Sequence, residues 1–119
     1  MVSVILAGTA LCTGIPAAMA HARLDHAVPA AQSTVHVPPT KLQLWFTEDL
    51  EPSFSTIAVL DSQGRHVEQG QAKADSAHTK LLEIGLEPLP PGTYTVVWHV
   101  TAVDSHRTEG KFIFTVAPS

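Results

Sequence analysis

The sequence has 119 residues, a formal net charge of −4, and seven histidines against seven lysines and arginines combined. A chain of this length is enough for one domain with a modest core. The negative charge argues against nucleic acid as a partner, because binding to phosphates requires a basic surface.

The first twenty residues have the features of a secretory signal peptide. An apolar run covers 2–11, and Ala18-Met19-Ala20 has the small-x-small form of a signal-peptidase site. The run is too short to be a membrane span of about 20 residues. We therefore predict a signal peptide over 1–20. Its removal leaves 99 of the 119 residues, 21–119, as one exported domain that begins with His21. An uncleaved N-terminal helix is the alternative.

The predicted leader contains all the sulfur of the chain, namely Met1, Cys12 and Met19. The mature domain therefore has no disulfide and offers no thiolate or thioether to a soft ion such as Cu(I). All seven histidines remain, and imidazole with carboxylate suits a borderline divalent ion such as Cu(II), Zn(II) or Ni(II). Cys12 leaves a lipoprotein anchor open, although Leu11 before it is not the small residue expected there.

Short stretches of β-type residues, separated by proline and glycine, predict an antiparallel β-sandwich or barrel. Alternation with a period of two places the apolar residues of each strand on one face. The predicted strands, in chain order, cover approximately 23–28, 41–47, 54–61, 80–85, 92–103 and 110–116.

The aromatic residues of these strands are interpreted as structural. A Pro-Gly pair before Tyr94 resembles the tyrosine corner of immunoglobulin-like sandwiches, which predicts a hydrogen bond from the phenol back to the loop. Trp45 and Trp98 are expected to pack in the core or between the sheets. His99 lies on the face opposite Trp98 and is expected to be a packed or surface residue.

His21 would carry a free α-amine after cleavage. A terminal histidine offers this amine and its Nδ1 to one ion, which closes a six-membered chelate ring. The amine has a pKa of about 7.7–8.0, so binding displaces a proton. The alternative is a frayed, solvated terminus.

Two further segments offer ligands. Asp104 and His106 are two residues apart just past the longest strand, and in an extended segment such residues point the same way. Glu48 and Asp49 end the strand 41–47, where a carboxylate can bind a metal or hold a ligand imidazole by a hydrogen bond. A solvated strand end is the alternative for this second pair.

Three segments together resemble the CopC copper-resistance family of exported copper-binding proteins. They are HARL (21–24), LQLWFTEDL (42–50) and GTYTVVWHVTAVDSHRTEGKFIFTV (92–116), in the order of the family. The resemblance implies a small all-β Greek-key sandwich, described as cupredoxin-like or immunoglobulin-like. It also implies a Cu(II) site at the positions that match the family pattern, His21, Asp104, His106 and Glu48.

The function implied by the resemblance is copper tolerance, buffering, or delivery to a membrane partner of the CopD type. We expect a periplasmic monomer that binds copper and is not an enzyme. Some family members also carry a Cu(I) site in a methionine-rich loop. Here the corresponding segment 60–71 has His66 but no methionine, so we predict a protein that binds Cu(II) alone.

Two other interpretations of the sequence remain open. One is a copper-dependent oxidative enzyme of the histidine-brace type, as in lytic polysaccharide monooxygenases. The other is an immunoglobulin-like scaffold module without a metal. In each case the remaining histidines, His26, His36, His66 and His78, are expected to be solvated rather than ligating.

Overall fold

The computed structural model describes residues 22–119, which form two β-sheets of four strands each. The predicted leader and His21 lie outside the described residues. One turn of 3-10 helix, Pro52–Phe54, precedes β4. Within 22–119 we find no helix with the length and hydropathy needed to cross a membrane. The strands are β1 (Leu24–Val28), β2 (Thr34–Val35), β3 (Lys41–Phe46), β4 (Thr56–Leu60), β5 (Glu68–Asp75), β6 (His78–Leu86), β7 (Gly92–Thr101) and β8 (Arg107–Val116).

The strand order is β1-β3-β6-β5 in the first sheet and β2-β8-β7-β4 in the second. The pairs β5–β6 and β7–β8 are hairpins, whereas the other neighbours are joined by connections that cross between the sheets, as in Greek-key sandwiches. This confirms the predicted all-β sandwich. One detail differs, because β2 pairs with β8 in parallel.

The core lies between the two sheets and is built from alternate residues of the long strands. Alternation correctly predicted the buried face of β3, β7 and β8, since side chains in a strand point to opposite faces in turn. The buried residues on these inner faces are Leu42, Leu44 and Phe46 of β3, Leu82 and Ile84 of β6, Tyr94, Val96, Trp98 and Val100 of β7, and Phe112, Phe114 and Val116 of β8.

Tyr94 forms the predicted tyrosine corner. Its hydroxyl donates a hydrogen bond to the Pro90 carbonyl, and its ring stacks on Phe114 with 5.5 Å between centroids. Burial of the hydroxyl raises the pKa of Tyr94, and the negative charge of Asp61 adds to this effect. The phenol therefore keeps the proton that it donates to the loop.

Trp45 does not pack in the core, contrary to the prediction. It is half-buried on the outer face of β3, where it stacks against His26 with ring centroids 5.4 Å apart and meets His78 edge-on at 5.5 Å. The reason is parity along the strand: Leu44 and Phe46 point inward, so Trp45 between them points outward. Trp98 is buried, as predicted, with its ring edge-on to Phe46.

The strand boundaries near the C-terminus differ from the prediction in a way that matters for the site. β7 ends at Thr101 and β8 already begins at Arg107, so the connection between them is reduced to 102–106. The β7–β8 hairpin therefore ends in a tight turn that holds both Asp104 and His106. Elsewhere in the chain, β5 was not predicted, because this edge strand has no buried residue and lacks an apolar alternation.

Candidate metal centre

The turn at 102–106 brings Asp104 and His106 together by a mechanism other than the one predicted. The segment is a turn rather than an extended chain: Ser105 has a φ of 75°, and the Ala102 amide donates to the His106 carbonyl at 3.0 Å. Side chains two residues apart converge here because the backbone reverses at Ser105. The expected convergence is thus present, and the extended geometry is wrong.

The Asp104 carboxylate contacts His106 through both of its oxygens. Oδ1 accepts a hydrogen bond from the His106 amide at 3.1 Å, and Oδ2 lies 3.0 Å from the His106 Nδ1. The first contact is typical of an Asx turn, and the second orients the imidazole. The two side chains are 43% and 52% exposed, so an ion from solvent can reach both.

The segment that follows β3 lies against this turn. The Val103 amide donates to the Asp49 carbonyl at 3.0 Å, and Leu50 pairs with Ala102 in an isolated β-bridge. Glu48 is half-buried at this junction. The Asp49 carboxylate accepts a hydrogen bond of 2.6 Å from the hydroxyl of Thr79, a residue of β6. Of the two carboxylates predicted here, Glu48 is the one that the family resemblance implies for the metal site.

The first described residues, Ala22 and Arg23, are bonded both to β8 and to the segment that follows β3. Ala22 is completely buried, and its carbonyl accepts a hydrogen bond of 2.8 Å from the Thr108 hydroxyl. The Arg23 amide donates to the Thr47 Oγ1 at 3.0 Å, and the Thr47 amide donates to the Arg23 carbonyl at 2.9 Å. The chain therefore enters the fold beside the residues adjacent to Glu48 and close along β8 to His106.

The predicted ligands are only partly assembled by the described residues. Among residues 22–119, no three histidine, cysteine, aspartate or glutamate side chains come close enough together to hold a metal ion. Asp104 and His106 are in contact, and Glu48 is on the neighbouring segment. His21, the fourth predicted ligand, lies outside the described residues. The complete ligand set therefore stays a prediction.

Three other histidines, each more than half exposed, contact a carboxylate. His99 contacts Glu109 across β7 and β8 at 2.8 Å, and His66 contacts Glu68 at the same distance. His26 contacts Asp25, also at 2.8 Å. Their positions agree with the prediction that these are packed or solvated residues.

The fold is a small Greek-key sandwich with an acid–imidazole pair in the last hairpin turn. A family model described as CopC domain matches residues 24–117. The chain belongs to the CopC family, as its motifs predicted.

Three known proteins illustrate the relationship. Protein YobA from Escherichia coli K12 is 38% identical over 102 residues, which cover 85% of this chain and 82% of YobA. The crystal structure of CopC from Methylosinus trichosporium OB3b has a TM-score of 0.78 at 36% identity and covers 82% of this chain and 95% of that one. PcoC, a methionine-rich copper resistance protein from Escherichia coli, has a TM-score of 0.68 at 37% identity, with coverage of 81% and 98%.

Proposed function

We propose that the exported domain 21–119 binds one Cu(II) ion through the mature N-terminal His21, Asp104 and His106, with Glu48 beside them. The observation that carries the proposal is the contact between Asp104 and His106 in the last hairpin turn. Two residues after His106, the Thr108 hydroxyl binds the carbonyl of Ala22, the first described residue. The domain would serve copper tolerance, buffering or delivery in the periplasm.

The chemistry of the donors favours Cu(II). Two imidazoles, one amine and one carboxylate form a nitrogen-rich tetragonal set, and Cu(II) is at the top of the stability order of divalent ions for such ligands. The domain 21–119 contains no sulfur. PcoC, in contrast, is described as methionine-rich. We therefore propose that this protein has no counterpart of a methionine-based Cu(I) site.

The role we propose is binding with release to a membrane partner of the CopD type, by a monomer that does not catalyse a reaction. A carrier must let its cargo leave, and the half-exposed Asp104 and His106 are open to solvent at the end of the sandwich. An oxidative enzyme with a histidine brace would instead consume ascorbate and oxygen in repeated turnovers once loaded with copper. Stoichiometric binding without such turnover separates the two functions.

The proposal is tested by replacing His106 and comparing it with a matched histidine. His99 is suited to this purpose, because its side chain is 56% exposed against 52% for His106 and also pairs with a carboxylate. In protein that begins at His21, we expect His106→Ala to weaken Cu(II) binding by at least about 100-fold, the upper range for loss of an outer-sphere partner. We expect His99→Ala to leave it unchanged.

The measurement is a competition titration against a chromophoric chelator, together with the EPR spectrum of the one-to-one complex. The His106→Ala spectrum should lose one nitrogen coupling, and the His99→Ala spectrum should match that of the unsubstituted protein. Equal affinities for all three proteins would contradict the proposed ligand set.

A further inference from the structure

Two threonine hydroxyls bind the backbone at the point where the chain enters the fold. The Thr108 hydroxyl donates to the Ala22 carbonyl at 2.8 Å, across 86 residues of sequence. The Thr47 Oγ1 accepts from the Arg23 amide at 3.0 Å, across 24 residues. Chain termini usually fray unless such bonds hold them.

We propose that Thr47 and Thr108 are positioning residues for the copper site, and this inference rests on the proposed function. Together they form an entry clamp, defined as these two side chains and the backbone of Ala22 and Arg23. The clamp fixes Ala22, which is one peptide bond after the proposed ligand His21.

Both threonines of the entry clamp lie close in sequence to proposed copper ligands. Thr47 precedes Glu48 directly, and Thr108 follows His106 by two residues on β8. Each hydroxyl therefore ties the entering chain to a segment that carries another proposed ligand. A ligand whose backbone is already fixed loses less conformational freedom when it binds, so positioning of this kind raises affinity.

The burial of Ala22 supports this role. Its side chain has no exposed surface and belongs to the core cluster, so the entering backbone is held from the inside as well as by hydrogen bonds. Thr108 is half-buried on the inner side of β8, where a hydroxyl needs a partner. The Ala22 carbonyl supplies that partner.

The test uses protein that begins at His21 and substitutions that remove or keep each hydroxyl. Valine has nearly the shape of threonine but cannot form these bonds, whereas serine keeps the hydroxyl. We expect Thr108→Val and Thr47→Val to weaken Cu(II) binding by about 10–100-fold, the range for partners that orient metal ligands. Thr108→Ser keeps the hydroxyl, so we expect it to bind Cu(II) with most of the affinity of the unsubstituted protein.

Thr115→Val is the matched control. Thr115 is half-buried on the same strand, and its hydroxyl lies 3.4 Å from the Thr93 Oγ1, at the opposite end of the hairpin. This control should bind Cu(II) like the unsubstituted protein. EPR spectra report the coordination itself, so a changed nitrogen pattern in the clamp variants, and not in Thr115→Val, distinguishes positioning from a general loss of stability.

Two results would overturn the inference, and they differ from each other. If the unsubstituted protein binds Cu(II) and both clamp variants bind it with the same affinity and spectrum, the clamp has no role in the site. If the unsubstituted protein itself fails to bind Cu(II), the proposed function and the clamp both fall. Thr47 is exposed, so we expect Thr47→Val to fold even where Thr108→Val is destabilised.

Discussion

Gly110 lies directly opposite Trp98 in the β7–β8 hairpin, and the indole occupies the space that a side chain at Gly110 would need. A Cβ built there would be 2.4 Å from the Trp98 Cζ2 and 2.8 Å from its Cε2. The indole also contacts Phe46 edge-on, with centroids 5.1 Å apart, so it has little room to move. This packing explains why residue 110 is a glycine.

Gly110→Ala is expected to destabilise the protein by about 1–3 kcal/mol, because inserting a methyl group into a packed core forces side chains from their rotamers. Urea unfolding of the copper-free protein measures the change. Gly85→Ala is the matched control, since its Cβ would meet Gln69 at 3.5 Å, an ordinary contact. If the two variants are equally stable, the Trp98 packing does not require a glycine.

At the same scale, the sequence predicted more about the identity of the site residues than about their geometry. The D-x-H spacing correctly singled out Asp104 and His106 as a pair that meets. The way they meet depends on the positive φ of Ser105, a non-glycine residue at which the spacing gives no sign of a turn. The bonds of Thr47 and Thr108 to the first described residues could not be predicted, because a hydroxyl bonded to a distant backbone leaves no pattern in the sequence.

Among the elements, the 3-10 turn before β4 is joined to the end of β7 by hydrogen bonds of two buried residues, Ser55 and Thr101. The Ser55 hydroxyl donates to the Glu51 carbonyl at 2.8 Å and accepts from the Thr101 amide at 3.1 Å. The Thr101 hydroxyl in turn donates to the Phe54 carbonyl at 3.1 Å. Both Ser55 and Thr101 are buried, so these polar groups depend on one another.

Ser55→Ala should therefore lower the free energy of unfolding by about 1–3 kcal/mol, the cost of leaving the buried Thr101 amide without an acceptor. Hydrogen exchange of that amide should become faster. Ser53→Ala, an exposed position in the same turn, should change stability by less than about 0.5 kcal/mol. A Ser55→Ala protein as stable as Ser53→Ala would show that the link does not hold the turn.

The elements that could be predicted are those with a strong apolar alternation. β3, β7 and β8 each bury one face in the core, and their alternation identified that face. β5 was not predicted because this edge strand buries no residue in the core, and β2 was not predicted because two residues are too few to form a pattern. Trp45 was expected in the core because it is aromatic, but its position between Leu44 and Phe46 in β3 directs its side chain to the outer face.

At the scale of the whole molecule, the proposed site depends on register between parts of the chain that are distant in sequence. Pairing of Thr101 with Arg107 closes the last hairpin, and the bond from Thr108 to Ala22 joins that hairpin to the entry of the chain. The sequence motifs predicted which residues belong to the proposed site. Spacing predicted the contact between Asp104 and His106 alone, because the position of Ala22 and Thr47 beside that hairpin results from hydrogen bonds between distant parts of the chain.

The most direct test of the central claim compares the Cu(II) affinity of protein that begins at His21 with that of protein that begins at Ala20. The extra residue converts the His21 amine into an amide and leaves every side chain unchanged. We predict that the extended form binds Cu(II) orders of magnitude more weakly, with one nitrogen coupling fewer in its EPR spectrum and the same stability without metal. Equal affinities and identical spectra for the two forms would contradict the account.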